Sequence, residues 1–384
     1  MEYKFKSTPM SRRHLTTERI MLRLCAGLLV VYGYGLYNAY KINEGCFING
    51  ILLLVVSLVV GTITEALFAI ARKQKPLIYL RKSFHYITCL ILVLTVPPYT
   101  SLYAMGVATF IALFFGKLVF GGFGQNIFNP AAVGRAIIAT SFAGKVIADA
   151  ATSATIATSF AGMNWIADAN NYLALVDYNG GLLSILLGSC TGAIGECFIV
   201  VIIVGIFLSI FDVIDWRIPV TYIGIIFAGA LIIGYSHGLG IDYALAFVAS
   251  GGVAFGGVFM LTDPVTNPQT RPGKILFATI AALLTVLIRY LGNLPEGVIF
   301  SILLVNILSP AIDILFSSKQ ITSYKRNLSI VFGSIIATVL IIACIGNYVT
   351  PGTFKDPTHT GATETGASET GATDTGASVE EVSE

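Results

Sequence analysis

Between residues 20 and 348 the chain is a succession of apolar runs, separated by short polar or Gly/Pro-marked breaks. About 20 apolar residues let a helix cross the hydrocarbon core of a bilayer. Eleven such runs can be traced, near 20–40, 48–70, 84–97, 101–117, 131–148, 195–213, 218–235, 243–261, 275–292, 297–317 and 327–348. Unpaired backbone groups find no water in the hydrocarbon region, so runs of this kind fold as helices. Only 11% of the 384 residues are charged and the hydrophobic share is 55%, where a soluble domain carries about 25% charged residues. So few charges do not cover a water-soluble surface. The fold class expected is therefore all-α and polytopic, with the lipid bilayer as the main environment and no nucleic acid among the partners.

The placement of Lys and Arg orients the spans, because cytoplasmic loops carry the excess. With the amino terminus inside, Lys4, Lys6, Arg12, Arg13, Arg19, Arg72, Lys73, Lys75, Arg81, Lys82, Lys117, Arg135, Arg217, Arg271, Lys274, Lys319, Lys325 and Arg326 fall on the cytoplasmic side. Only Lys41, Lys145 and Lys355 fall outside. By parity the segment 149–195 and the carboxyl terminus are external. The chain then divides into an N-terminal segment (1–19), a membrane core (20–317), an additional span (318–348) and a tail (349–384). The tail repeats TGA/TGAS units, ends acidic and has few apolar residues to bury, so disorder is expected. The segment before the first span is too long for a signal-peptide n-region, and no small-residue cleavage site follows that span. "ILVLTVPP" (Ile91 to Pro98) and "FMLTDPVTNP" (Phe259 to Pro268) end the third and eighth spans. Proline-broken helices at matching places of two halves suggest two inverted five-helix repeats, ten core helices with one extra at the C-terminal side.

Several stretches carry chemical potential. "FGGFGQNIFNPAAVGRA" (Phe120 to Ala136) sets Gly121, Gly122 and Gly124 beside Asn126 and Asn129 at membrane depth. Such irregular backbone is tolerated only where protein or a ligand satisfies it, and the glycines let a flat ligand or another helix approach. A purely structural re-entrant turn is the equal alternative. "SCTGAIGECF" (Ser189 to Phe198) opens the sixth span with free N–H groups suited to an anion, although a loose helix start explains it as well. Glu65, Asp263 and Asp313 lie in or beside spans, where a carboxylate is costly and marks ion or proton pathways; pairing with Arg23 or Arg289 is the structural alternative. The four histidines, His14, His85, His237 and His359, are dispersed and read as surface or helix-end residues. The six cysteines form no Cys-x-x-Cys pair and no Cys/His cluster, so no metal or iron–sulfur site is expected within this chain.

In order, "TTERIMLRL", "LTVPP", "FGGFGQNIFNPAAVGRA", "DAATSAT", "GSCTGAIGE", "FMLTDPVT" and "NLPEGVIFSILLVNILSPAID" resemble the D subunit of the Rnf electron-transport complex. They also resemble its homologue, the B subunit of the sodium-translocating NADH:quinone oxidoreductase. The resemblance covers roughly residues 16 to 316, and the short segment before the first span is closer to the Rnf protein. It implies ten core spans, so the eleventh span and the tail are additions.

The resemblance also implies a covalent FMN, joined through its phosphate to a threonine in an Asp-x-x-Ser-Gly-Ala-Thr motif. Here Asp149, Thr152, Ser153, Ala154 and Thr155 fill those places, with Thr for Ser at 152 and Ser for Gly at 153. Thr155 is then the flavinylated residue, with Thr158 as the alternative acceptor. The flavin ring is expected to pack on Gly121, Gly122, Gly124, Asn126 and Asn129, with Arg135 nearby. A non-covalent riboflavin is implied as well, without assigned residues. The implied activity is electron transfer between ferredoxin and NAD⁺ coupled to Na⁺ or H⁺ movement, with Glu65, Asp263 and Asp313 in ion coupling. Implied partners are the other Rnf subunits (C, G, E, A and B) and a flavin transferase, and the implied location is the inner (cytoplasmic) membrane. The chain has no Gly-x-Gly-x-x-Gly, so nicotinamide and ferredoxin sites belong to those partners. Two other classes remain open on these residues: a stand-alone transporter or channel, which also uses broken helices and buried acids, and a passive scaffold for redox subunits. A role in a quinone reductase is the third alternative, within the same family.

Overall fold

The computed structural model describes residues 16–142, 155–190, 192–317, 324–346 and 348–353. Asp149, Thr152 and Ser153 lie outside the described residues, as does the tail beyond residue 353. The chain begins with α1 (Thr17–Ile42), α2 (Glu44–Ala71), α3 (Pro76–Ser83), α4 (His85–Leu94), α5 (Leu102–Leu113, continued by a π-helical turn Phe114–Leu118) and α6 (Pro130–Ser141). Three short helices follow, α7 (Ile156–Gly162), α8 (Ala169–Tyr178) and α9 (Leu182–Leu187). The second half comprises α10 (Phe198–Ile210), α11 (Arg217–Ser236), α12 (Ile241–Ala249), α13 (Val253–Phe255, continued by a π turn Gly256–Met260), α14 (Arg271–Tyr290), α15 (Gly297–Phe316) and α16 (Tyr324–Gly346).

Among the described residues, six helices are long and apolar enough to cross a membrane, and eight spans result if each bent pair, α3/α4 and α12/α13, counts once. The apolar helices Leu102–Leu118 and Phe198–Ile210 are shorter. These two and α6, of 12 residues, lie at the three remaining places expected from the sequence but are shorter than a full span. α1, α2, α4, α5 and α6 pack on one another, as do α10 to α15; the two groups meet through α1 against α10 and α6 against α15. Helix order alternates between two ends. One carries Arg72, Lys73, Lys75, Arg81, Lys82, Arg217, Arg271 and Lys274 and is called the basic end; the other carries Thr155.

Local chemistry sets the helix starts. Thr16 caps α1 through Arg19 N at 3.4 Å, and Asn43 caps α2 through Gly45 N at 2.9 Å. Asn129 Oδ1 accepts from Ala131 N at 3.0 Å, ahead of Pro130 in the first turn of α6, where a proline costs no hydrogen bond.

Both bent pairs break without a proline. α3 and α4 meet at 49° over Phe84, which holds a left-handed φ of 51°. α12 and α13 meet at 64° over Gly251 and Gly252, with φ of 60° and 69° that glycine adopts without strain. Each break frees carbonyls inside the bundle, where an unpaired group is expensive. In each case a buried cation from another helix supplies the donors. Lys117 Nζ donates to Ser83 O at 2.6 Å. Arg289 donates to Phe247 O, Ser250 O and Gly251 O at 3.2, 3.0 and 3.1 Å.

The additional helix α16 packs on α11 and α14, with Ile342 seated on Gly229. The first residues of the expected tail are ordered. Gly352 N donates to Met163 O and Ile166 O at 3.2 and 2.9 Å, and Asn164 Nδ2 donates to Thr350 O at 3.4 Å. A side chain at 352 would meet the Met163 backbone at 2.6 Å. Gly352→Val is therefore expected to release this strap and raise hydrogen-exchange rates over residues 160–167 several-fold, read by exchange mass spectrometry; unchanged rates would mean the strap holds nothing.

Candidate functional site

Thr155 is the N-cap of α7, half-buried, with φ −63° and ψ 153°. Its Oγ1 accepts from Thr158 N at 3.2 Å. The Thr158 hydroxyl donates to Thr155 O at 2.7 Å, so its proton is committed one turn inside the helix. Of the two candidate acceptors, Thr155 stands at the helix start with no acid or base of its own. Ala157 sits against the α12/α13 break, 3.1 Å from where a side chain on Gly251 would begin, beside Arg289. Phe160 stacks on Trp165 at 6.0 Å and 2°. Arg289, fully buried, lies over the Trp165 and Phe247 rings at 4.5 and 5.1 Å. The Thr155 helix therefore rests on an aromatic platform around a buried guanidinium.

The glycine turn is elsewhere. Asn129 Nδ2 donates to Met260 O at 3.2 Å, at the far end of the 253–260 segment from Gly251. Eight helical residues separate those ends by about 12 Å. The structure does not bring Gly121, Gly122, Gly124, Asn126 and Asn129 into contact with Thr155 among the described residues, so a ring packed on that turn would be reached only through the length of the flavin's ribityl-phosphate arm. The cause is α6, which carries the chain from the turn toward the opposite end. Arg135, expected at the cytoplasmic surface, is likewise drawn inward: it forms an ion pair with Glu296, the residue that starts α15 at the Thr155 end.

A second cluster forms at the basic end. Glu65 is fully buried and accepts from Lys117 Nζ at 2.9 Å. Lys117, read from the sequence as a cytoplasmic surface charge, is 2% exposed and also bonds Ser83 O and Oγ at 2.6 and 2.8 Å. His85, read as a surface or helix-end residue, does start α4 but is buried, with its Nδ1 3.8 Å from Glu65 Oε2. Lys117 lies in the π turn of α5, a geometry that recurs at functional sites. A cavity of about 70 Å³ adjoins it, bordered by Asn126, Asn129, Thr262 and Asp263 and by Phe84, Phe123 and Phe259. Asp263 accepts from Val265 N at 3.2 Å and Thr266 Oγ1 at 3.4 Å. Ligand pockets ordinarily exceed about 300 Å³, so as it stands this cavity is of a size for water.

Asp313 does something simpler. Its carboxylate accepts from Gln269 N at 2.9 Å and from Thr270 N at 3.4 Å, and so caps the start of α14 from α15. Asp313→Ala is expected to cost about 1 kcal/mol of stability, the value of a lost cap, in thermal unfolding, and to leave ion transport coupled. Loss of coupling in a folded Asp313→Ala variant would return the residue to the ion path. Near it, outside the spans, burial pushes the Asp215 carboxyl up, but Lys274 and the Arg217 backbone and side chain outweigh burial and hold it below its ordinary value. Two further acids, not among the candidates drawn from the sequence, are Glu196 and Glu296; they lie in the field of Arg135 and Arg289.

Known proteins match the chain over nearly the whole of this architecture. It is 31% identical over 322 residues to the D subunit of the proton-translocating ferredoxin:NAD⁺ oxidoreductase complex of Clostridium ljungdahlii, covering 81% of this chain and 93% of that one. It is 28% identical over 362 residues to the D subunit of the ion-translocating oxidoreductase complex of Actinobacillus succinogenes, covering 85% and 99%. The B subunit of the Na⁺-translocating NADH-quinone reductase of Azotobacter vinelandii is 30% identical over 278 residues, with 70% and 68% covered. A family model matches residues 4–322, the whole helical core up to the start of α16. On that match the chain belongs to the NQR2, RnfD, RnfE family.

Proposed function

We propose that this chain is the flavin-carrying membrane subunit of an Rnf-type complex, which passes electrons between ferredoxin and NAD⁺ and moves Na⁺ or H⁺ across the membrane. The observation that carries this reading is the near full-length match to the D subunits of two ion-translocating oxidoreductase complexes, one of them a ferredoxin:NAD⁺ enzyme. Partners are the C, G, E, A and B subunits and a flavin transferase. The basic end faces the cytoplasm under the positive-inside rule, which puts Thr155, α7 and the C-terminal strap on the outer side of the inner membrane. The two helix groups, each with a bent third helix clasped by a cation, are taken as inverted repeats.

FMN esterified to Thr155 supplies the electron-carrying ring. The chain's own residues do the holding. Thr155 Oγ1 would be the oxygen that holds the phosphate, as its ester. α7, fixed by the Phe160–Trp165 stack and the strap, keeps that oxygen at one place on the bundle. Arg289 sets a fixed positive charge beside the same helix. At the basic end, Glu65 and Asp263 serve ion coupling on either side of Lys117, while Asp313 drops out.

The chain made together with the flavin transferase is expected to give a fluorescent band on a denaturing gel under ultraviolet light. A dark band would contradict the reading, because a solute carrier has no use for a phosphoester acceptor.

A further inference from the structure

Glu65 Oε2 and His85 Nδ1 are both buried and both lack a hydrogen-bond partner, and they face each other at 3.8 Å. The rest of the cluster decides why. Thr62 Oγ1 donates its one proton to Leu58 O at 2.7 Å, so toward His85 Nε2, 3.0 Å away, it acts as an acceptor. Nε2 must then carry the imidazole hydrogen, and Nδ1 of the neutral ring presents a lone pair. That lone pair confronts a carboxylate oxygen, an arrangement with two acceptors and no donor. One proton satisfies both.

We propose that Glu65 and His85 form a proton-exchange site, with Lys117 as its fixed counter-charge, and that this site takes H⁺ and not Na⁺. It rests on the ion-coupling reading above and adds to it a residue and an ion. Loading adds one proton and no electrons: H⁺ binds Nδ1, and the new N–H donates to Glu65 Oε2, leaving an imidazolium beside a carboxylate. The gap of 3.8 Å must close by about 1 Å to reach a charge-assisted bond. His85 is the first residue of α4, directly after the left-handed Phe84 at the bend, so a small change at that break moves the ring.

Sodium is poorly served there. Hard cations take six or more oxygen ligands. Glu65 Oε1, Ser83 O and Ser83 Oγ are occupied by Lys117, which leaves Glu65 Oε2, His85 Nδ1 and the unpartnered Tyr79 hydroxyl, well short of that number. Other titratable groups act on the pair from every side. Tyr79 of α3 and Cys89 of α4 feel the Glu65 charge, Arg72 at the end of α2 acts on Tyr79, and Asp263 acts on Lys117 from across the cavity. Lys117 borders the cavity as well as the pair.

The test is infrared difference spectroscopy of the full chain in lipid bilayers, acid minus neutral, in NaCl and in KCl. The expected result is an imidazole ring band and a carboxylate band that change together on acidification, with the same midpoint in both salts. Both changes should vanish in His85→Phe and, separately, in Glu65→Gln; His85→Gln, a milder change in shape and polarity, should lose them too. A carboxylate change driven by Na⁺ at constant pH would overturn the proposal, as would a Glu65 signal that survives His85→Phe. These spectra need no flavin, so a failure to find one on Thr155 would not alter the outcome expected here.

Discussion

Replacing Thr155 by valine is expected to abolish covalent flavin on this chain completely and to drop ferredoxin-driven NAD⁺ reduction by the assembled complex to background. Valine matches threonine in shape and removes only the hydroxyl. The fold cost is that of a lost N-cap, about 1 kcal/mol, because among the described residues Thr155 Oγ1 bonds only Thr158. Thr155→Ser keeps an oxygen at the same place and should retain both the flavin and the activity. Thr158→Val should retain them too, since that hydroxyl is tied to Thr155 O. Gel fluorescence and turnover read the three variants together. Full electron transfer in Thr155→Val would make the chain a scaffold and not a carrier.

The second large effect concerns stability. Lys117→Met leaves Glu65 buried at 0% exposure with its one direct ammonium partner gone. Breaking a buried ion pair from one side costs about 3–5 kcal/mol, whereas replacing both partners by apolar groups is often neutral. The single variant should therefore unfold at much lower temperature in detergent, and Lys117→Met with Glu65→Leu should recover most of the loss. The freed Ser83 carbonyl, also bonded by Lys117, keeps the recovery incomplete. Simple additivity of the two changes would show that the pair is not coupled. Arg289 offers a useful contrast, since it clasps the other break through three carbonyls and two rings and, among the described residues, hydrogen-bonds no carboxylate.

The helices were legible because apolar runs near 20 residues have one outcome in a bilayer. The two broken spans were half legible. Their proline-marked ends stood out, but the bends fall at Phe84 and at Gly251–Gly252, upstream of the prolines. Thr155 could be singled out only through the resemblance, since a threonine among small residues carries no chemical signal of its own. The glycine turn is close to Thr155 in sequence and far from it in space, because the 12 residues of α6 span about 18 Å. Lys117 and His85 were hidden for a different reason. Their partner Glu65 lies 52 and 20 residues away, on another helix, and no local spacing announces such a pair. The legible hint was a lysine at the end of an apolar run with no charge of either sign beside it.

Mass spectrometry of the proteolytic fragment containing Thr155, from chain produced in a host that attaches flavin, tests the central claim most directly. The account predicts that this fragment carries the mass of FMN less water, localised to Thr155 by fragmentation. An unmodified fragment, or a flavin localised to another residue, would contradict it.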